Sequence, residues 1–108
     1  MRTLKFDVDC LLITQSEGCD FDNLIPGTEG YLQAEFSFSK EWDGFVKAAE
    51  FDIGAGRKVA VILEDGMTCM IPSEATKRRA FGVRVVGKKG DDQRLVTCKI
   101  VVVQNGGI

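Results

Sequence analysis

The sequence contains no histidine, so the side chain that most often acts as a general base near neutral pH is missing. Catalytic arrangements that combine serine or cysteine with histidine are therefore excluded. No apolar run approaches the roughly 20 residues that a membrane-spanning helix requires. Residues 1–5 alternate between apolar and polar, unlike a secretory signal peptide, so we expect the chain to fold in the cytosol where it is made.

The four cysteines show no spacing typical of a metal site. Cys10, Cys19, Cys69 and Cys98 form no Cys-x-x-Cys pair, and we expect neither a bound metal nor a cofactor. Cys10 and Cys98 each fall within an apolar strand pattern, where a thiol behaves as a small hydrophobic group. We therefore expect buried free thiols, with a Cys10–Cys19 disulfide as the alternative.

Short segments that alternate apolar and polar residues predict β-strands with one buried face. Strands are predicted at Leu4–Leu12, Leu32–Phe38, Phe45–Ile53, Val59–Leu63, Thr68–Ile71, Phe81–Val85 and Val96–Val103. The mixed period of Phe45–Ile53 indicates a bulge or burial on both faces. Single helical turns are predicted at Ser39–Gly44, with Ser39 as N-cap, and at Pro72–Lys77.

Turn-forming residues separate these strands. They occupy the stretch 16–30, the tetrapeptide Gly54–Arg57, a predicted hairpin turn at Glu64–Gly66 and a polar loop at Gly87–Asp92. About seven short strands without a full-length helix predict one all-β domain over residues 1–108. The favoured architecture is an immunoglobulin-like two-sheet β-sandwich, and a small β-barrel is the alternative. Trp42, the one tryptophan, is predicted to close an end of the core.

Charge is distributed unevenly along the chain. Residues 1–54 hold 11 acidic and 4 basic side chains, whereas residues 55–108 hold 5 acidic and 10 basic ones. Strands from the two halves could interleave and mix these charges on one surface. Alternatively, acidic and basic patches meet in neighbouring copies. That contact would join Lys88 and Lys89 of one copy to Glu17, Asp20 and Asp22 of the next.

Other candidate sites have simpler structural explanations. The carboxylates Asp7, Asp9, Asp20, Asp22, Asp43 and Asp52 fall on polar strand faces or in turns, and no catalytic pair stands out. The acidic stretch around Asp20 departs from the EF-hand calcium loop. The basic runs at 77–79 and 88–89 lack interleaved aromatic residues, so we expect no nucleic-acid partner. Likewise we expect no membrane partner.

Three motifs occur in order along the chain. They are F-x-F-S-x-E-W-D-G at 36–44, K-x-A-x-F at 47–51 and C-x-I-P-x-E at 69–74. Together with the surrounding residues from about Asn23 to Val103, they resemble the small immunoglobulin-like domains of tailed-phage virion proteins. These domains include the N-terminal domain of baseplate upper proteins and related head, tail and fibre proteins of phages of Gram-positive bacteria.

The resemblance implies a non-enzymatic virion component, made in the bacterial cytoplasm and assembled in several copies with other virion proteins. Baseplate upper proteins continue into further modules, whereas this chain ends at Ile108. We therefore expect a head decoration or head-fibre subunit, or a tail or baseplate accessory subunit. Trp42, Gly44, Phe51 and Pro72 are the motif residues with expected structural roles. The alternative function is a small phage-encoded protein that binds a host protein.

Overall fold

The computed structural model describes residues 2–19 and 32–103. Within them the chain forms nine strands, one 3₁₀ turn and one short α-helix. The strands are β1 (Arg2–Asp9), β2 (Leu12–Gln15), β3 (Leu32–Phe38), β4 (Val46–Gly54), β5 (Arg57–Ile62), β6 (Thr68–Met70), β7 (Ala80–Lys89), β8 (Gln93–Val96) and β9 (Ile100–Val103). The 3₁₀ turn is Lys40–Trp42 and α1 is Ser73–Thr76. Neither helical segment in the described ranges has the length and apolarity to cross a membrane.

The strands form two sheets that pack face to face. The four-stranded sheet has the order β2-β1-β3-β6, and the five-stranded sheet has the order β5-β4-β7, with β8 and β9 both pairing with β7. Apolar side chains from both inner faces form one core, in which Phe6, Phe36 and Phe51 are fully buried. The predicted two-sheet sandwich is confirmed.

A parallel pair lies at the centre of the four-stranded sheet. β1 and β3 pair from Arg2 opposite Leu32 to Val8 opposite Phe38, while the other described strand pairs are antiparallel. This register places Phe6 beside Phe36, with their rings stacked at a centroid distance of 5.3 Å. The alternating pattern predicted both strands but carried no information about their relative direction.

The predicted strand Leu4–Leu12 is confirmed through Asp9 and wrong over its last three residues. The chain reverses at Cys10 and Leu11, so that Asp9 pairs with Leu12 across a tight turn. Cys10 adopts the left-handed region with a φ of 53°, which non-glycine residues enter uncommonly. Cys10 and Leu12 are consequently exposed, not buried as the strand pattern predicted.

The predicted hairpin at Glu64–Gly66 is also wrong. The strand before it, β5, belongs to the five-stranded sheet, whereas the strand after it, β6, belongs to the four-stranded sheet. The turn therefore carries the chain from one sheet to the other. Asp65 shapes it, since its carboxylate accepts hydrogen bonds from the backbone N–H groups of Met67 and Thr68 at 2.9 and 2.7 Å.

The last part of the chain differs from the prediction at two points. β7 continues through Lys89, so the predicted loop Gly87–Asp92 begins too early. The predicted strand Val96–Val103 is divided, because the buried Thr97 uses its hydroxyl oxygen to accept from the Val85 N–H at 3.0 Å. This bond ends β8, and β9 begins again three residues later.

The β4–β5 region agrees with the sequence prediction. Its register shifts between Asp52 and Gly54, which is the predicted irregularity in β4. The following turn places Ala55 and Gly56 at φ values of 54° and 74°. Two successive positive φ angles match the sharp reversal that joins antiparallel neighbours.

Candidate interaction surfaces

Trp42 closes one end of the core. Its side chain is fully buried, and its indole N–H donates to the Cys10 carbonyl at 2.7 Å. Phe38 packs beside the indole at a centroid distance of 5.4 Å. Gly87 of β7 lies against the other ring edge, where a Cβ would approach the indole to 2.8 Å. We call this arrangement of Trp42, Cys10, Phe38 and Gly87 the Trp42 closure.

The first sequence motif builds this closure. Phe36 and Phe38 end β3, and the 3₁₀ turn then swings Trp42 over the core. Ser39 makes no capping hydrogen bond to the turn; its hydroxyl accepts from the Cys10 N–H at 2.9 Å and donates to Glu41 at 2.8 Å. Gly44, at a φ of 80°, then redirects the chain toward β4.

Phe51 and Pro72 also lie at structural positions. Phe51 is fully buried on β4 and packs against Phe81 with the ring centroids 6.2 Å apart. Pro72 immediately precedes α1, and its carbonyl accepts from the N–H groups of Ala75 and Thr76. The four motif residues therefore lie in the core or in the turns that connect its strands.

All four cysteines are free thiols in the structure. Cys69 is buried, and burial raises the pKa of its thiol to about 12. Cys10 and Cys98 are exposed, so the expectation that both would be buried is wrong. Cys98 lies in the break between β8 and β9, and its N–H donates to the Leu11 carbonyl at 3.0 Å.

Asp9, Cys10 and Glu41 form an exposed cluster beside the Trp42 closure. Their potential ligand atoms lie within 4.8 Å of one another. The hydrogen bond to Glu41 raises the pKa of the Cys10 thiol. Exposed acidic groups are common on protein surfaces without an ion, and this geometry alone does not assign a metal.

The outer face of the five-stranded sheet carries two ion pairs. Arg84 on β7 contacts Glu50 on β4 at 2.6 Å, and Lys99 contacts Asp52 at 3.1 Å. With Lys58, these side chains line a shallow groove of about 210 Å³. The backbone N–H of Gly54 and the ammonium of Lys99 lower the pKa of Asp52.

The sequence pattern places Asp52 among the candidate catalytic carboxylates, but it does not indicate Glu50, Arg84 or Lys99 as site residues. Nothing in the one-dimensional pattern indicates that β4 and β7 are neighbours, and only their register places Glu50 opposite Arg84. Beside the ion pairs, an apolar row crosses the same face through four strands: Ile62, Ala48, Val86 and Val96.

The outer face of the four-stranded sheet is different. Its outward positions include the exposed Lys5 and Asp7 on β1 and the half-buried Glu35 on β3. The acidic half of the sequence supplies three of its four strands, whereas the basic half supplies four of the five strands opposite. The halves are thus largely separated between the sheets, with only β4 and β6 exchanged.

The predicted basic patch lies near the Trp42 closure. Lys88 and Lys89 end β7 with exposed side chains. The Lys89 ammonium lies 5.8 Å from the centroid of the Phe45 ring, a cation–π distance. Phe45 in turn packs beside Trp42 at 6.3 Å, so the patch is at the closed end of the sandwich.

The acidic partner patch lies elsewhere. Glu17 is exposed in the turn after β2. Both sides of this turn are bonded to Lys5 on β1: the Ser16 N–H donates to the Lys5 carbonyl, and the Cys19 sulfur accepts from the Lys5 N–H. At about 3.3 Å per residue, Lys5 lies about 16 Å along the chain from Cys10, which belongs to the Trp42 closure. Asp20 and Asp22 lie outside the described residues. Within one chain, the structure does not bring Glu17 to the lysines.

The chain was compared with protein-family models and with curated proteins, and neither comparison found a match.

Proposed function

We propose that the chain is a non-enzymatic structural subunit of a tailed-phage virion, either a head decoration or head-fibre protein or a tail or baseplate accessory protein. The observation that supports this proposal is the Trp42 closure. The motif that carries the resemblance forms one packing unit, in which Trp42 is fully buried and hydrogen-bonded to Cys10. The residues shared with the phage domains thus specify a fold, as expected for proteins that act through surfaces.

The positive charge of the five-stranded sheet supports assembly through protein–protein contacts. Its strands hold seven basic and two acidic side chains, whereas the strands of the four-stranded sheet hold two basic and three acidic ones. A sheet with this excess of basic side chains can attract acidic surfaces of other virion proteins or of further copies. The proposed partners are therefore capsid, tail or baseplate proteins and a second copy of the chain.

Mass spectrometry of gradient-purified particles tests the proposal. The phage that encodes the chain should yield particles that contain it at a fixed ratio to the major capsid protein, and this ratio should survive nuclease and salt washes. A ratio of many copies per capsid indicates head decoration, whereas a few copies indicate the tail or baseplate. Absence from particles, with the protein present in the infected-cell extract, would refute the proposal.

The same extract distinguishes the alternative function, a host-directed binding protein. A tagged chain that captures one host protein in equal amounts, and does not associate with itself or with particles, would favour that alternative. The matched control is a chain with Trp42→Ala, because loss of the closure should abolish any contact that requires the folded sandwich.

A further inference from the structure

The edge strands of the sandwich differ in length. In the described ranges, β2 has four residues and β6 has three, while β8 and β9 have four each and are separated by Thr97–Lys99. β5 has six uninterrupted residues and, among the described strands, pairs with β4 alone. Edge strands offer unpaired backbone N–H and C=O groups to another chain, and short or broken edges reduce that tendency. β5 therefore stands out as the edge most able to pair.

The hydrogen-bond phase of β4 and β5 identifies the outward groups. The Leu63 N–H donates to the Lys47 carbonyl at 2.9 Å. Because hydrogen-bonded and non-hydrogen-bonded pairs alternate in antiparallel sheets, Val61 and Val59 also direct their backbone groups toward β4. Lys58, Ala60 and Ile62 consequently direct theirs away from it, toward the free edge.

The side chains of β5 leave this edge accessible. The strand contains no proline, and its register with β4 is regular from Lys58 to Ile62. Ala60 is exposed and small, and Ile62 is 60% exposed. Natural edges usually carry a proline, a bulge or a central charge that prevents pairing. Here charge occurs only at the start, in Arg57 and Lys58.

Charge along β5 selects an orientation for the partner. The strand begins with Arg57 and Lys58, and the exposed residues Glu64 and Asp65 follow its end. Antiparallel pairing of two such strands brings the basic start of each beside the acidic end of the other. Parallel pairing would instead place like charges together, which is unfavourable. The edge is therefore electrostatically complementary to itself.

We infer that β5 pairs antiparallel with β5 of a second copy, with Ala60 opposite Ala60 on a two-fold axis and Lys58 opposite Ile62. This register uses the outward groups of Lys58, Ala60 and Ile62 on both copies. The two five-stranded sheets then become one continuous sheet, an isologous contact that closes as a dimer. The inference deepens the proposed function, since it names the partner of one virion-subunit surface.

Sedimentation of the full chain and of two proline variants tests the pairing. The wild-type chain should have twice the 11.9 kDa mass of one copy. Ala60→Pro should raise the dissociation constant about tenfold or more, because each copy loses an outward N–H donor. The control is Gln15→Pro on β2: the Ser16 N–H donates to Lys5, so the Gln15 N–H faces outward on that edge. It should leave the mass unchanged.

Charge exchange tests the orientation. Lys58→Glu alone and Glu64→Lys alone should each weaken the dimer several-fold, and the chain carrying both should recover most of the wild-type affinity. Melting curves of every variant show whether the monomer fold is retained. A chain that is monomeric throughout, equal effects of the two prolines, or no recovery in the double variant would overturn the inference.

Particle binding separates this inference from the proposed function. If the wild-type chain is monomeric in solution and Ala60→Pro prevents its incorporation into particles, the β5 edge pairs with a strand of another virion protein. A second copy is then refuted as the partner. If the chain is dimeric but absent from particles, the proposed function fails and the pairing stands.

Discussion

The Trp42 closure and the free edge of β5 differ in how completely their polar groups are bonded within the chain. At the closure, the indole N–H donates to the Cys10 carbonyl, and the ring packs so closely against Gly87 that a Cβ would not fit between them. At the edge, the backbone groups of Lys58, Ala60 and Ile62 face away from β4. The first sequence motif, residues 36–44, lies at the Trp42 closure. None of the three motifs includes a residue of β5. Residues that identify the fold are thus distinct from those available for contact.

Removing the indole should have the largest effect on the closure. Trp42→Ala leaves a large cavity in a well-packed site and should lower the free energy of unfolding by about 3–5 kcal/mol. Urea denaturation followed by circular dichroism measures this. Trp42→Phe, which keeps a ring but loses the hydrogen bond to Cys10, should cost less. An unchanged melting temperature in Trp42→Ala would mean that Trp42 serves as an exposed interface anchor.

Filling the space beside the indole should have the next largest effect. In Gly87→Ala the new Cβ would lie 2.8 Å from Trp42 and 3.3 Å from Phe45, so overpacking should cost about 1–3 kcal/mol. Gly82→Ala on the same strand is the control, because the new Cβ would meet Lys99 and the Asp52 Cβ and none of the three nearest atoms belongs to the indole. In the Trp42→Ala background the Gly87→Ala cost should largely disappear. Equal costs in both backgrounds would show that the two residues do not touch.

Acid should weaken the Asp65 turn, which follows β5 and leads into β6. Hydrogen bonds from Thr68 and from the Met67 N–H lower the pKa of Asp65 from 3.8 to about 2. Since the folded pKa is depressed, the unfolded chain binds more protons between these values, and the contribution of Asp65 is present above about pH 4 and lost toward pH 2. Asp65→Asn should therefore be less stable than wild type at pH 7, with a difference that narrows toward pH 2.

Thr68→Val provides the matched control for this pH dependence. It removes the hydroxyl donor while keeping the carboxylate, so the folded pKa of Asp65 should be less depressed. The loss of stability in acid should then be smaller than in wild type and should be complete at a higher pH. Urea midpoints measured from pH 7 to pH 2 give all three profiles. Parallel profiles for wild type and Asp65→Asn would contradict the assignment.

The smallest effect on stability is expected at the basic patch. Reversing Lys88 and Lys89 to Glu should change the free energy of unfolding by no more than about 0.5 kcal/mol, because both side chains are exposed. It should still weaken self-association or attachment to particles. High salt should have the same effect, because it shortens the distance over which exposed charges attract below the value of about 8 Å at physiological ionic strength. Light scattering at low and high salt measures both effects.

A reversal of Lys77 and Arg79 to Glu controls for net charge, because it makes the same charge change at exposed positions beside α1. It should leave association nearly unchanged. Association that responds to neither salt nor the Lys88 and Lys89 reversal would indicate an apolar interface, and the uneven charge of the two halves would then follow from strand order alone.

The sequence predicted the parts of the fold that depend on local pattern. The alternation in Leu32–Phe38 matched β3 residue for residue, and the mixed period before Ile53 matched the register shift in β4. Apolar alternation is set by the need to bury one face, and glycine pairs such as Gly54 and Gly56 indicate turns directly. These signals operate over a few neighbouring residues.

The errors arose where distant residues decide the local structure. Cys10 adopts a positive φ without glycine or asparagine, in a turn whose carbonyl receives the Trp42 N–H. Thr97 divides an apolar run because Val85, on another strand, donates to its hydroxyl. The ion pair between Glu50 and Arg84 likewise depends on strand order, which the spacing of charges along one strand does not contain.

The pairing of β4 with β7 has a consequence for synthesis of the chain. β1 and β3 are complete once residue 38 has been made, but β7, which covers much of the core from the centre of the other sheet, ends at Lys89. Contacts between such distant segments form slowly, and until they form the apolar rings of Phe6 and Phe36 have no opposing layer. The nascent chain is therefore vulnerable to aggregation between the synthesis of Phe38 and that of Lys89, and a truncation before β7 should accumulate as insoluble protein.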